Sequence, residues 1–313
     1  MKVKYKNKKL LVLQRVIPKY HVELFKQLTA SKEINCKVII GQDTTKLKAK
    51  NASNLSEINY EILPSKIFNF FGRKLTYHIG LLDSIKKNKP DVLLCEAESH
   101  VLGYYIALIY KYFFNRKVKL VLWCFFKLPG KRSAYKNLFI EPYKKIIRKL
   151  FDGFLSYHSY GKLFLISDGI NENKISVAVN VCDTKKLLNQ SKKLSSFSKE
   201  EIKNKLGYPN KFIISYIGTL DTPKNPNLVL EIAKKIKDPN IHFFMLGDGP
   251  LFDKIIHKQR EMKLNNITIF GRVNKNIYDY YYATDLLIVP GRGGIIISEA
   301  MCFGVPAIVY KAD

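Results

Sequence analysis

Short, nearly unbroken apolar runs, separated by segments of helical period, constrain this chain more than any other feature. "KLLVLQ" (9–14), "CKVIIG" (36–41), "DVLLCE" (91–96) and "VKLVLWCFF" (118–126) are rich in Val, Ile and Leu and show little polar alternation. A strand with one wet face alternates polar and apolar residues. A run without alternation is covered on both faces, as in a parallel sheet sandwiched by helices. "FDGFLSY" (151–157) and "ISVAVN" (175–180) extend the series, with a helix predicted over 20–30 and a tyrosine-rich helix after residue 96.

The polar stretch "TKKLLNQSKKLSSFSKEEIKNKLGYPN" (184–210) interrupts this rhythm, and a second series follows it. "KFIISYIG" (211–218), "IHFFMLG" (241–247), "ITIFG" (267–271), "DLLIVP" (285–290) and "PAIVY" (306–310) read as strands between helices. The pattern predicts an α/β chain of two Rossmann-like, doubly wound domains facing a cleft. The expected limits are 1–185 for the first domain, a partly helical linker over 186–210, and 211–313 for the second. In such sheets ligands bind beyond the carboxyl ends of the strands.

Length and composition agree with two packed domains: 313 residues, 47% of them apolar. The net charge of +27 draws polyanions, whether phosphorylated substrates, an anionic membrane surface or nucleic acid. Heavy use of Lys, Asn and Ile throughout equally fits a general composition bias. The basic residues are spread along the chain and form no nucleic-acid-binding motif, so no nucleic-acid partner is expected. The five cysteines are odd in number, scattered and free of C-x-x-C pairs, which points to reduced thiols in a cytoplasm. The basic start is followed by too short an apolar run for a secretory signal. The longest apolar stretch, 101–114, contains Lys111 and falls short of the roughly 20 residues that span a bilayer. The expected location is cytoplasmic, at most peripheral on the inner face of the membrane.

Chemistry concentrates at the strand exits of the second series. "GTLDTPKNP" (218–226), "DGP" (248–250), "GRV" (271–273) and "PGRGGIIISEAM" (290–301) each carry glycine. One such glycine simply ends a strand. Four at neighbouring exits read as close backbone approach to a ligand. Gly293 and Gly294 precede a helix expected to begin near 296–298, whose unpaired N–H groups and dipole favour phosphate. Glu299 is placed in the first turn, where it either complements the dipole or accepts hydrogen bonds from a ribose diol. Lys224, between "TP" and "NP" turns, supplies a cation at the adjacent exit.

These blocks, in order and spacing across 212–310, resemble the retaining GT-B glycosyltransferases of family 4 (group 1), surface-polysaccharide type. In the first half "RVIPKYHVELFKQL" (15–28) resembles the opening of some members, and "SYHSYGKLFL" with "KISVAVNVCDT" resembles the segment that closes the first domain. The resemblance implies sugar transfer with retention from a UDP- or GDP-linked donor to a hydroxyl of a polysaccharide or polyprenyl-linked glycan, with no cofactor and no metal. It places Glu299 on the donor ribose, as the second Glu of the family's E-x7-E motif. Lys224 falls on the donor phosphates, and Gly294 and Ile295 on the backbone turn that cradles the distal phosphate. Gly271, Arg272 and Val273 match the segment that reads the base, and Gly218 and Thr219 the first exit at the donor.

Four departures accompany the match. The glycine pair that often follows the first strand of the first domain is replaced by Val16, Ile17 and Pro18. The first Glu of the motif falls on Gly291. The arginine usual after the first exit glycine falls on Thr219. Family members continue past the point where this chain ends, so it reads as truncated, with an incomplete second domain. On the acceptor side His100 follows the third strand and is a candidate catalytic contact or a capping and core residue. Arg15, Lys19, Tyr20 and His21 read as acceptor contacts or as a basic helix start. "KRSAYKNLFIEPYKKIIRKL" (131–150) reads equally as a helix lying on anionic lipid or as an ordinary packing helix. Lys224, Glu299 and His100 form the expected catalytic set. The alternatives are a catalytically impaired nucleotide-sugar-binding remnant and an epimerase of the same fold, which needs cleft carboxylates and histidines that the sequence does not offer.

Overall fold

The computed structural model describes residues 7–43, 50–70, 73–96, 102–124, 141–179, 182–273 and 275–310. The chain divides into two compact units, Met1–Asn180 and Val181–Asp313.

In the first unit, seven parallel strands form one sheet: β1 (Lys8–Leu13), β2 (Ile34–Gly41), β3 (Tyr60–Leu63), β6 (Val92–Glu96), β7 (Lys119–Cys124), β8 (Gly153–Ser156) and β9 (Ile175–Val177). Their order is β3-β2-β1-β6-β7-β8-β9, so the winding reverses between β1 and β6. An antiparallel hairpin, β4 (Ser65–Phe70) and β5 (Arg73–His78), stands apart. The helices are α1 (Val22–Ala30), α2 (Leu81–Asn88), α3 (Gly103–Ile109), α4 (Glu141–Lys149) and α5 (Ser159–Ser167). The lack of alternation in the apolar runs now has its reason. On β1, Leu11 and Leu13 enter one core with Ile39, Leu93 and Leu120, while Val12 enters a second with Phe25, Val38 and Ile40. Both faces of the sheet are dry.

The second unit repeats the plan with five parallel strands in the order β12-β11-β10-β13-β14. They are β10 (Phe212–Ile217), β11 (Ile241–Leu246), β12 (Ile267–Gly271), β13 (Leu286–Val289) and β14 (Ala307–Val309). The helices are α6 (Thr184–Leu194), α7 (Lys199–Leu206), α8 (Asn227–Lys235), α9 (Phe252–Glu261), α10 (Ile277–Ala283) and α11 (Ile295–Met301). Ile214, Tyr216, Phe243 and Met245 fill one face, and Ile213, Phe244, Leu246, Leu287 and Val289 the other. The chain is an α/β protein with parallel sheets in two domains.

The segment read as a linker, 186–210, is built differently from that expectation. It folds as most of α6 and all of α7 and belongs to the second unit, which begins at Val181. Ser198 and Glu201 form a reciprocal capping box at the start of α7. Lys203, itself buried, reaches Asp285 at 2.7 Å, and Lys205 reaches Asp279 at 2.8 Å. Lysine stems pack along the domain while their ammonium groups find carboxylates, so a polar composition here conceals structure.

Candidate functional site

At the carboxyl end of β10 the chain leaves through Gly218 and Thr219 into a 3-10 turn over Thr222–Lys224. Tyr216 donates its hydroxyl to the Thr219 carbonyl at 2.7 Å. The Asp221 carboxylate accepts from the Lys224 N–H at 3.2 Å, which fixes the turn. Lys224 then projects its ammonium across to the neighbouring exit and donates to the Gly293 carbonyl at 3.0 Å and to that of Arg292 at 3.3 Å. In return the Arg292 N–H donates to the Pro223 carbonyl at 2.9 Å. The structure thus brings Lys224, Gly218 and the Gly293–Gly294 turn together.

The exit glycines have different reasons for being glycine, and this corrects the expectation that all of them admit a ligand. A Cβ on Gly247 would overlap the Gly218 carbonyl, and one on Gly249 would lie 2.5 Å from the Leu220 carbonyl. A Cβ on Gly291 would lie 2.5 Å from the Pro223 oxygen and 2.7 Å from the Lys224 carbonyl carbon. At these positions the missing side chain lets the exit loops touch one another. Gly294 is the opposite case: its φ of +124° calls for glycine, yet nothing lies within 4 Å of a Cβ there. It faces open space. Position 291, where the family's first Glu would fall, has no room for any side chain.

The helix after this turn also differs in register from the expectation. α11 starts at Ile295, one residue before the expected 296–298, so Glu299 lies beyond its first turn. The helix dipole is therefore not what holds Glu299. Tyr281 on α10 does so, donating its hydroxyl to Glu299 Oε2. Tyr281 is buried and stacks on Phe303 with ring centroids 5.2 Å apart. Burial, reinforced by the Glu299 charge, pushes the Tyr281 phenol well above its ordinary value, which keeps it a donor. Burial also pushes the Cys182 thiol up to about 11, with the nearby Cys302 and Glu299 acting in the same direction. Sequence reasoning missed Tyr281. Its only signal was the run "YDYYYATD", in which helical register alone decides which tyrosine points inward.

The remaining donor-side candidates lie at the third exit. Gly271 adopts φ +67°, and its carbonyl accepts from the Gly247 N–H at 2.7 Å. Arg272 is exposed and stands 3.7 Å from Asp248. Val273 packs against the core formed by Phe244 and Leu246.

In the first unit His100 lies outside the described residues. His21 is buried and stacks on Trp123 at 5.4 Å, so it is a core aromatic and not an exposed contact. Lys19 shares its 3-10 turn, and Tyr20 is partly exposed. The Arg15 N–H donates to Glu96 Oε2 at 2.8 Å, which joins the ends of β1 and β6 where the winding reverses. A small cavity there is lined by Gln14, His78, Glu96 and Tyr104 among apolar neighbours. His78 pairs its Nδ1 with the Ser65 hydroxyl at 3.0 Å. Burial, helped by the Arg15 charge, lowers its pKa to about 4. His78 went unnoticed because the hairpin that carries it was not read as strands. Of the 131–150 segment the structure describes α4, where Tyr143 and Ile146 are exposed and Arg148 is buried on Asp168. Among the described residues no three His, Cys, Asp or Glu side chains gather as a metal-ligand set, and no helix is long and apolar enough to cross a membrane.

Comparison with known proteins adds the following. Residues 198–313 match the family model "Glycosyl transferases group 1". The UDP-Gal:alpha-D-GlcNAc-diphosphoundecaprenol alpha-1,3-galactosyltransferase of Escherichia coli is 25% identical over 160 residues, covering 49% of this chain and 37% of that relative. The match thus spans little more than a third of the curated relative. Among solved structures, Anabaena HepE in complex with UDP superposes with a TM-score of 0.68 at 16% identity, covering 97% of this chain and 81% of that one. A glycosyltransferase from Rickettsia africae does so with a TM-score of 0.67 at 17% identity, covering 97% and 79%. This chain shares the two-domain GT-B fold of these structures, and within its second unit residues 198–313 are similar to the group 1 glycosyl transferases.

Proposed function

We propose that this chain is a retaining, metal-independent glycosyltransferase of family 4. In this reading it moves a sugar from a nucleoside diphosphate to a hydroxyl of a polysaccharide or lipid-linked glycan. The observation that carries the proposal is the placement of the Lys224 ammonium against the Gly293 carbonyl, beside the open turn at Gly294. A donor diphosphate arriving there offers the ammonium charged oxygens in place of neutral carbonyls, and charge-assisted hydrogen bonds are the stronger kind. The helix start at Gly294 carries no side-chain cap, which leaves first-turn N–H groups to donate to the same oxygens. Glu299 accepts from the ribose hydroxyls, and the backbone of Gly271, Arg272 and Val273 meets the base. The Escherichia coli relative takes UDP-Gal and Anabaena HepE binds UDP, which supports UDP over GDP as the carrier.

In this reading the chemistry is a same-face displacement. The bond from the anomeric carbon to the diphosphate oxygen breaks as the acceptor oxygen bonds the same carbon on the same face. The departing phosphate oxygen takes the acceptor's proton, so the protein need supply neither nucleophile nor base. Its contribution is to stabilise the charge that develops on the leaving group, and Lys224 is the cation placed to do so. The acceptor side falls to the first unit, with His100 as its candidate contact. The chain works in the cytoplasm, with peripheral contact to the inner face of the membrane where a lipid-linked acceptor resides.

Calorimetric titration of the chain with UDP- and GDP-sugars tests the donor site. Binding of a UDP-sugar, weakened in Lys224→Ala, is expected, and the absence of any nucleotide binding would refute it. A second reading, a nucleotide-sugar-binding remnant, is favoured by Gly291, whose surroundings admit no carboxylate. Tight donor binding without transfer to any lipid-linked glycan would decide for the remnant.

A further inference from the structure

The last turn of α3 does not end as an α-helix. It widens into a π-helix over Tyr110–Phe114. π-turns are rare, and they re-aim side chains by inserting a residue into the helix. Here Tyr110 turns into the core while Phe113 is left 80% exposed and Phe114 53% exposed, with Tyr112 beside them. Because α3 follows β6 and precedes β7, this turn lies at the amino edge of the first unit's sheet. Parallel α/β sheets bind ligands at the other edge.

Cations surround the aromatic turn. The Lys86 ammonium sits over the Phe114 ring, 3.8 Å from its centroid. Lys87 and Lys89 at the end of α2, and Arg116 and Lys117 after the π-turn, are exposed. Two nearby carboxylates are already paired: Asp152 with Lys111 and Lys119, and Asp91 with Lys8. Tyr112 donates its hydroxyl to the Leu150 carbonyl at 3.4 Å, which joins this turn to the exposed apolar end of α4.

We propose that this edge is a docking surface for an anionic lipid bilayer, with Phe113 and Phe114 as the inserting residues. A phenylalanine tip carries no hydrogen-bonding group, so a ring held out in water gains by entering an acyl boundary. Tyrosine and long basic side chains suit the headgroup level around it. Positive charge selects anionic headgroups over neutral ones. The surface deepens the membrane contact proposed above, and it stands whether or not the donor site binds nucleotide. Strands of this length, at about 3.3 Å per residue, hold the carboxyl ends of β1 and β6 roughly 20 Å from the docked edge. That distance suits a reacting hydroxyl on an outer sugar of a glycan.

The test is co-sedimentation of the full chain with phosphatidylcholine vesicles, with and without phosphatidylglycerol. Binding is expected only when phosphatidylglycerol is present, and it should weaken as salt is raised. Phe113→Ser with Phe114→Ser should lower the partition about tenfold per ring. Arg116→Glu with Lys117→Glu should lower it by at least about fivefold per residue. All four residues are exposed, and Phe114 gives up contacts to Lys86 and Tyr110; a cooperative thermal transition, lowered slightly at most, confirms that the variants fold. Failure of the wild type to bind phosphatidylglycerol vesicles overturns the proposal. So does wild-type binding by either double variant. Binding that survives loss of both rings and is displaced by a single-stranded oligonucleotide would mean an unspecific polyanion surface, and would overturn it too.

Discussion

Tyr281 donates its hydroxyl hydrogen to Glu299 Oε2 at 2.5 Å, and Tyr281 itself is only 4% exposed. The pair ties α10 to α11 and orients one carboxylate oxygen. If Glu299 meets a ribose, Tyr281 is the residue that positions it. Tyr281→Phe should weaken UDP binding about tenfold, the scale of one lost hydrogen bond to a charged group. It should also narrow the difference in affinity between UDP and 2′-deoxy-UDP, which calorimetry can measure. A purely structural tie would lower thermal stability and leave that difference intact.

Gly291 is held by its neighbours. A Cβ there would press on the Pro223 carbonyl and the Lys224 backbone. Gly291→Ala should therefore destabilise the second unit by about 1–3 kcal/mol, the usual scale of overpacking. Gly291→Glu should also displace the Lys224 turn and weaken nucleotide binding instead of restoring a family carboxylate. Thermal unfolding and UDP titration of both variants check this, and a Glu variant with wild-type stability would show that the loop yields easily.

Lys224 makes the complementary prediction. Lys224→Ala should lower kcat/KM by about 10²–10³, the scale of removing one preorganised charge from a developing anion. Lys224→Arg keeps the charge but not the compact ammonium that fits between two carbonyls, so it should recover only part of the loss. Steady-state kinetics with a UDP-sugar and a glycan acceptor provides the measurement. The fold should survive both changes, because the turn is fixed by Asp221 and backbone bonds and not by the ammonium.

The strands were legible because apolar runs dry on both faces leave no polar alternation to misread. Leu11 and Val12 enter different cores one residue apart. In the second unit the exits of β10, β11 and β12 were legible because those runs stop at Gly218, Gly247 and Gly271. What was not legible depended on three-dimensional neighbours. Gly291 and Gly294 look alike in sequence, yet one abuts a backbone and the other faces open space. Lys203 and Lys205 of α7 pair with Asp285 and Asp279, which lie far along the chain, so their order in the sequence does not show the contact. The β4–β5 hairpin, "SKIFNFFGRKLTYH", mixes aromatic and basic residues too evenly for its period to show. Tyr281 could not be distinguished from its two neighbouring tyrosines without the helix register.

Two histidines, one in each unit, should make stability fall in mild acid. Burial, helped by the Arg15 charge, lowers His78 to about 4; burial, helped by the Lys211 charge, does the same for His242. The unfolded chain binds those protons near the ordinary value of 6.5. Their contribution is therefore complete above that value and is lost as the pH falls from there toward 4. A gap of this size corresponds to roughly 3 kcal/mol at most for buried His78, and to less for half-buried His242, whose charge solvent screens. Urea unfolding as a function of pH should show the decline, and His242→Gln should flatten it for the second unit alone.

Asp285 should add a further loss at lower pH. It accepts from the Ile213 N–H at 2.8 Å and pairs with Lys203 at 2.7 Å and Lys199 at 3.1 Å. Burial works against its charge, but these partners together hold the carboxyl below its ordinary value of 3.8. The folded state thus keeps the carboxylate charged to lower pH than the unfolded chain does. The stabilisation is full at neutral pH and fades as the pH drops through the lowered folded value. Asp285→Ala removes the carboxylate at every pH and strands the buried Lys203 ammonium. It should cost about 3 kcal/mol at neutral pH, the penalty of leaving one partner of a buried pair uncompensated. Asp285→Ala combined with Lys203→Met should recover much of that loss, because the charge and its missing partner disappear together. Chemical denaturation of the two variants at pH 7 distinguishes a buried pair, which shows this rescue, from a surface contact, which would show neither the loss nor the recovery.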